Sequence, residues 1–187
     1  MNVHLPARMT VDEFLRWSQQ QESGRYELEG GRVIVQHAQN IGHIDTKYQV
    51  VTALRSAVLT GSAALYVLGD GATVRIGSDR AYEPDALVAP LPKPPAGEFE
   101  VPNPVIVVEV MSPSSIRRDL TTKAIGYALV PSIQHYLVID PAERVVLHYR
   151  RRADMLVPSE APAEGTLRLD PPGIEVAACD LLVPRDT

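Results

Sequence analysis

Apolar and polar positions along this chain repeat with two different periods, and each change of period marks a new element. Val11, Phe14 and Leu15 recur at helical spacing behind Thr10 and Glu13, a T-x-x-E capping box that predicts a short helix to about Gln19. Residues 25–28 alternate, Glu29-Gly30-Gly31 turns, and RVIVQ returns, which is the pattern of a β-hairpin. Ile41, Ile44, Tyr48, Val51, Leu54 and Val58 fall at three- and four-residue steps and predict one apolar helix face, stopped by Gly61. Residues 64–67 and 72–76 read as strands joined by a GDG turn, and residues 77–80 as a further turn. ALVA and VIVVEV are short apolar strands on either side of a proline-rich interruption. A prolyl-serine loop follows, then helical spacing over 120–129. HYLVID ends at an Asp140-Pro141 turn from which RVVLHYR pairs back, and TLRLD and IEVAACDLL give two more short strands. This order predicts an α+β fold, a mixed sheet flanked by helices rather than a βαβ repeat. One domain is expected over residues 1–187, with a strand-rich tail from about 153.

Composition narrows the function classes. The chain has 187 residues, 45% of them hydrophobic and only 5% aromatic, so its core is mostly Val, Leu, Ile and Ala. A net charge of −5 argues against coating nucleic acid through a general positive field. The charge is uneven, however. Residues 113–152 carry a net +4, from Arg117, Arg118, Lys123, Arg144, Arg150, Arg151 and Arg152 against three acids, which leaves −9 for the remainder. Cys179 is the only cysteine, so neither an intramolecular disulfide nor a thiolate zinc site is available and a reducing compartment is expected. The N-terminal MNVHLPARMT lacks an apolar signal core and no run reaches membrane-span length, so a cytoplasmic protein without membrane partners is expected. The absence of a glycine-rich phosphate loop excludes P-loop nucleotide hydrolysis.

Candidate chemistry centres on two acids in apolar company. Asp85 stands just before ALVA, and Glu109 lies inside VIVVEV. Buried carboxylates are rare unless paired or holding a metal. Asp85 could instead be a turn residue after Pro84, and Glu109 could face water from an edge strand. Period two weighs against the second option, because Glu109 shares its face with Val105 and Val107. A hard cation such as Mg²⁺ suits two carboxylates, with the Val110 carbonyl as a third oxygen. Glu27 on the first hairpin is a further candidate acid. Lys123 could orient a water or offset phosphate charge, though a helix lysine is more often solvated, and Asp119 stands four residues earlier at ion-pair spacing. His43 near a helix start could face the cleft or be structural. Arg150-Arg151-Arg152 could hold phosphates or merely solubilise a hairpin end.

Taken together, RYELEGGRVI, the His43-Ile44 pair at a helix head, YEPDALV, VVEVMSPSSIRRDLTTKAIGYA and QHYLVIDPAERVVLHYR resemble the Uma-two family of restriction-endonuclease-like proteins, within the PD-(D/E)xK nuclease superfamily. The resemblance runs from about Met9 to Tyr149. It implies a restriction-endonuclease-like fold and a metal-dependent endonuclease using Mg²⁺ or Mn²⁺ on nucleic acid, DNA before RNA. It implies Asp85, Glu109 and the Val110 carbonyl as metal ligands, Glu27 as ligand to a second ion or through water, and Lys123 as catalytic amine. His43 and Asp119 are auxiliary matches, Arg117 and Arg118 would meet the substrate backbone, and a homodimer would supply two sites for a duplex. Met111 stands where the superfamily usually has lysine. That departure, with the acidic pI of about 5.5, gives weight to a second reading: a catalytically silent relative acting as a nucleic-acid-binding or assembly module.

Overall fold

The computed structural model describes residues 8–112, 118–159, 161 and 165–184. Helix α1 (Val11–Ser18) opens with the expected capping box, Thr10 N–H donating to Glu13 Oε2 at 2.7 Å and Glu13 N–H to Thr10 Oγ1 at 3.3 Å. Its buried Val11 and Phe14 cover the hairpin of β1 (Arg25–Glu29) and β2 (Arg32–Gln36). Gly30 and Gly31 turn this hairpin with φ of 55° and 77°, and two successive positive φ angles suit glycine at a two-residue turn.

Helix α2 (Ile41–Thr60) is capped by Asn40, whose Oδ1 accepts from His43 N–H at 2.9 Å, and it stops at Gly61 as the sequence predicts. Its inner face differs from the expected one. Ile41 is 86% exposed and Tyr48 71%, while His43, Thr46, Lys47, Val50, Ala53, Leu54 and Ala57 are buried. The buried row keeps helical spacing but begins with polar residues, because the first turns of α2 lie over a polar cleft and only the later turns lie on the sheet. Of the expected apolar stripe, Leu54 is buried and Val51 and Val58 pack on the core, while Ile41, Ile44 and Tyr48 face outward.

Among the described residues, two larger sheets form rather than the one expected. The smaller, in order β2-β1-β5-β4, holds β4 (Val74–Ile76) and β5 (Arg80–Tyr82) and is antiparallel throughout. The larger runs β10-β9-β8-β7-β6-β3, with β3 (Leu65–Gly69), β6 (Ala86–Pro90), β7 (Ile106–Val110), β8 (His135–Asp140), β9 (Val145–Arg152) and β10 (Met155–Ser159). Only its central β7–β8 pair is parallel, which makes the sheet mixed. The GDG turn therefore does not close a hairpin. It carries the chain from one sheet to the other, since β3 pairs with β6 and β4 with β5.

The helical spacing over 120–129 resolves into a π-helical turn at Arg118–Lys123 followed by α3 (Ala124–Ala128). This segment covers one face of the large sheet. The other face is covered by α2 and by the hairpin of β11 (Thr166–Leu169) and β12 (Ile174–Ala177). The result is the expected α+β arrangement of a mixed sheet flanked by helices. Among the described residues, no helix is long and apolar enough to cross a membrane.

Gly126 on α3 permits a close approach that other residues would not. A Cβ there would lie 2.6 Å from Tyr82 Cε2 and 2.9 Å from its hydroxyl oxygen. Tyr82 is fully buried and its hydroxyl donates to Glu29, so the ring has little freedom to withdraw. Gly126→Ala should therefore destabilise by about 1–3 kcal/mol in urea unfolding, despite alanine's better helix propensity. A stabilised variant would mean that Tyr82 yields without cost.

Candidate active site

Strands β6 and β7 bring the two key acids side by side. Ala86 pairs with Val108, so one further step of the antiparallel register sets Asp85 opposite Glu109. Every residue of β7 is buried, which rules out the solvent-facing edge strand for Glu109. Glu109 is 3% exposed and Asp85 5%, and both line a cleft of about 530 Å³. Glu27 from β1 and Lys123 from the π-helical turn line the same cleft.

Each buried carboxylate has a cation. Lys123 Nζ donates to Glu109 Oε1 at 2.7 Å and lies 3.0 Å from Glu27 Oε1, so one ammonium bridges two acids. Tyr127, one α-helical turn further on, donates its hydroxyl to the same Glu109 oxygen at 2.7 Å. Burial and the Glu109 charge hold the Tyr127 phenol well above its ordinary range, so it remains a donor. Glu27 also accepts from Glu83 N–H at 3.0 Å, from Gln36 Nε2 at 2.6 Å, and from the Arg118 guanidinium. Burial alone would raise its pKa; Lys123 and Arg118 outweigh burial and lower it.

Asp85 is held differently. Its Oδ2 accepts from Val110 N–H at 2.6 Å, and its Oδ1 faces Lys47 Nζ at 2.6 Å. Lys47 also donates to Asp70 Oδ2 at 2.8 Å. His43 Nε2 lies 3.9 Å from Asp85 Oδ2, and neither ring nitrogen has a hydrogen bond of good geometry to a described residue. Burial lowers the His43 pKa against the pull of Asp85, so the ring stays neutral at pH 7. Glu83, beside Glu27 and Asp70, is pushed up to about 7, chiefly by burial.

Asp85, Glu109, Glu27, Lys123, His43 and Arg118 thus converge on one cleft from distant segments. Arg117 and the Asp119 side chain lie outside the described residues. Of the basic segment, Arg118 and Lys123 line the cleft, and three arginines further on bind backbone carbonyls. Arg151 caps carbonyls at the end of α3, including Val130 O at 2.7 Å, Arg150 binds Asp170 O at 2.6 Å, and Arg144 binds Val183 O at 2.8 Å. Lys47, Asp70, Glu83 and Tyr127 escape a reading of the sequence. The signal for Lys47 is its place four residues after His43, and that for Tyr127 its place four after Lys123.

The comparisons with known proteins agree with this architecture. A family model, Uma2, described as "Putative restriction endonuclease", matches residues 11–181. The chain belongs to the Uma2 family. One solved structure similar to this Uma2 chain is described as a "putative nuclease belonging to DUF820" from Anabaena variabilis ATCC 29413. The two share 20% identity at a TM-score of 0.70, over 92% of this chain and 97% of the other, a likeness of fold. No curated protein matches the chain.

Nuclease folds often use a divalent metal, and the donor set of this Uma2 member can be tested for one. Among the described residues, no group of three or more His, Cys, Asp or Glu side chains is arranged to hold an ion. A protein-only metal cage is thereby absent from that set. Mg²⁺, however, commonly takes only one or two carboxylates and keeps several waters. The Asp85 and Glu109 carboxylates, carried by residues opposite each other in the register, fit that looser demand, and the His43 ring beside Asp85 would suit water around an ion.

Proposed function

We propose that this cleft belongs to a metal-dependent endonuclease that hydrolyses nucleic-acid phosphodiester bonds, DNA in preference to RNA. The observation that carries the reading is the buried Glu27–Lys123–Glu109 bridge lining one cleft with Asp85. A buried ammonium between two acids is costly to assemble and gives the core nothing that apolar residues would not. Placed beside a cleft, it is a preorganised donor for a charged substrate.

Asp85, Glu109 and the Val110 carbonyl would hold Mg²⁺ or Mn²⁺, which supplies positive charge at the scissile phosphate and acidifies a bound water. Lys123 supplies N–H donors to the nucleophile or to a phosphate oxygen, taking the part usually given to a lysine two residues after the second acid. Met111, in that position, is buried in the apolar cluster beneath α3 and cannot serve. Tyr127 fixes the Glu109 carboxylate. Glu27, with bonds to Lys123, Arg118, Gln36 and the Glu83 amide, is assigned to positioning the two cations rather than to holding an ion. A homodimer would place two such clefts on a duplex and would be recognised by sedimentation.

The binding-module reading is favoured by a specific observation: both strand-end carboxylates already carry lysines. Plasmid incubated with Mg²⁺ or Mn²⁺ separates the two. Cutting by the wild type should fall at least about 10³-fold in both Asp85→Ala and Glu109→Ala. Equal cutting by all three proteins refutes an active site here. Salt-sensitive DNA retention without cutting establishes the binding module instead.

A further inference from the structure

Lys47 has no part in the mechanism above, yet it is one of the most constrained cations in the molecule. It sits on the second turn of α2, is 6% exposed, and its ammonium faces two acids, Asp85 Oδ1 at 2.6 Å and Asp70 Oδ2 at 2.8 Å. With Val110 N–H on the other oxygen, Asp85 has its charge met on both sides. Asp70 lies in the turn after β3, is exposed, and also accepts from Arg25.

We propose that Lys47 is a built-in counter-ion that occupies the cation position of Asp85 in the metal-free protein and yields it by shifting onto Asp70 when a divalent ion enters. This rests on the metal-dependent reading of the same cleft. An ammonium and a divalent ion cannot share one carboxylate oxygen, because their repulsion at contact distance is strong even with partial screening. Removing the lysine altogether would leave Asp85 buried and unpaired. A tethered cation with a second acid in reach meets both demands. Asp85 stays neutralised without metal, and Lys47 keeps a partner once displaced. Asp70, nearer the surface and backed by Arg25, is that partner. The device makes ion entry an exchange of one cation for another, so it sets the metal affinity without touching substrate.

Mn²⁺ binding, followed by the electron paramagnetic resonance of the free ion, tests this without reference to activity. Four proteins are compared: wild type, Lys47→Met, Asp70→Asn and Asp85→Asn. Lys47→Met should bind Mn²⁺ about tenfold more tightly or better, because the competing charge is gone. Asp70→Asn should bind several-fold more weakly, because Lys47 then has only Asp85. Asp85→Asn should lose binding. A purely structural role for the lysine would weaken binding in the Lys47 and Asp70 variants alike, so their opposite signs are the diagnostic. Equal affinity in wild type and Lys47→Met, with loss in Asp85→Asn, overturns the counter-ion role and leaves the metal site standing. No Mn²⁺ binding by either wild type or Lys47→Met overturns both. Should Lys47→Met fail to fold, Lys47→Gln and the direction of the Asp70→Asn change decide the matter in the same way.

Discussion

Lys123→Met is expected to lower the free energy of unfolding by about 3–5 kcal/mol at neutral pH, the usual result of removing one partner of a buried ion pair. Cleavage of nucleic acid should fall by about 10²–10⁴-fold, because the same ammonium is the donor nearest the proposed chemistry. The size follows from the geometry. Lys123 is 5% exposed and neutralises two carboxylates that are buried still more deeply, so its removal leaves Glu27 to Arg118 and takes from Glu109 the ammonium beside its Oε1. The pH dependence identifies the cause. In the wild type the folded Glu27 carboxyl sits below its ordinary pKa of 4.5, so its stabilisation is complete above that value and is lost as pH falls through the lowered one. Without Lys123, the strongest of the influences that lower the Glu27 pKa is gone while burial still raises it, so the folded pKa moves up. The variant then gives up less stability than the wild type as pH falls towards the carboxylate range, and its deficit narrows. Urea unfolding of both proteins at pH 7.5 and 5.5 reads this directly. A deficit that does not change with pH would place the damage in packing around the substituted side chain rather than in stranded charge.

How far this arrangement can be read from the residues depends on what each residue's neighbours reveal. The capping box, both glycine-turned and proline-turned hairpins and the length of α2 follow from local rules, and they hold because their stabilising partners lie within a few residues. Glu109 stands out because an acid among valines breaks a local pattern. Lys47 and Asp70 are hidden for the opposite reason. A lysine in a helix and an aspartate in a Gly-Asp-Gly turn are ordinary by themselves, and only the meeting of α2, the turn after β3 and the start of β6 makes them a site. The inner face of α2 is missed through the same limit, since the polar row His43, Thr46 and Lys47 is buried by the cleft and not by hydrophobic contact. The division into two sheets is also non-local. It turns on β3 pairing with β6 rather than with β4, which joins β5 instead. Of the three arginines at the hairpin end, Arg150 and Arg151 bind backbone carbonyls, contacts that no local pattern announces.

Acid should weaken this protein from its other end, where β8 and β9 meet the C-terminal hairpin. His135 and His148 lie buried side by side, His135 Nδ1 facing His148 Nε2 at 2.8 Å and His135 Nε2 facing Pro171 O at 2.8 Å. A carbonyl can only accept, so His135 carries its proton on Nε2, its Nδ1 accepts, and His148 Nε2 donates. This chain is satisfied with both rings neutral, and what opposes a further proton is chiefly the burial of the charge it would bring. Burial lowers both pKa values to about 4 from 6.5, with the neighbouring ring adding to the effect on His135 and Arg150 to that on both. The unfolded chain therefore binds protons first as pH drops. Stability from this pair is complete above about 6.5, falls between 6.5 and 4, and changes no further below. One ring of this kind is worth about 3 kcal/mol over that interval. Leu167, Leu169, Ile174 and Val176 of the hairpin pack on the large sheet, so loosening at Pro171 exposes core. Urea unfolding between pH 7 and 4.5 should show the wild type losing at least about 3 kcal/mol more than His135→Gln/His148→Gln, whose amides do not titrate. Hydrogen exchange at residues 166–177 should accelerate first. Parallel stability profiles for the two proteins would remove the histidine pair from any account of acid sensitivity and leave the carboxylates of the cleft to explain it.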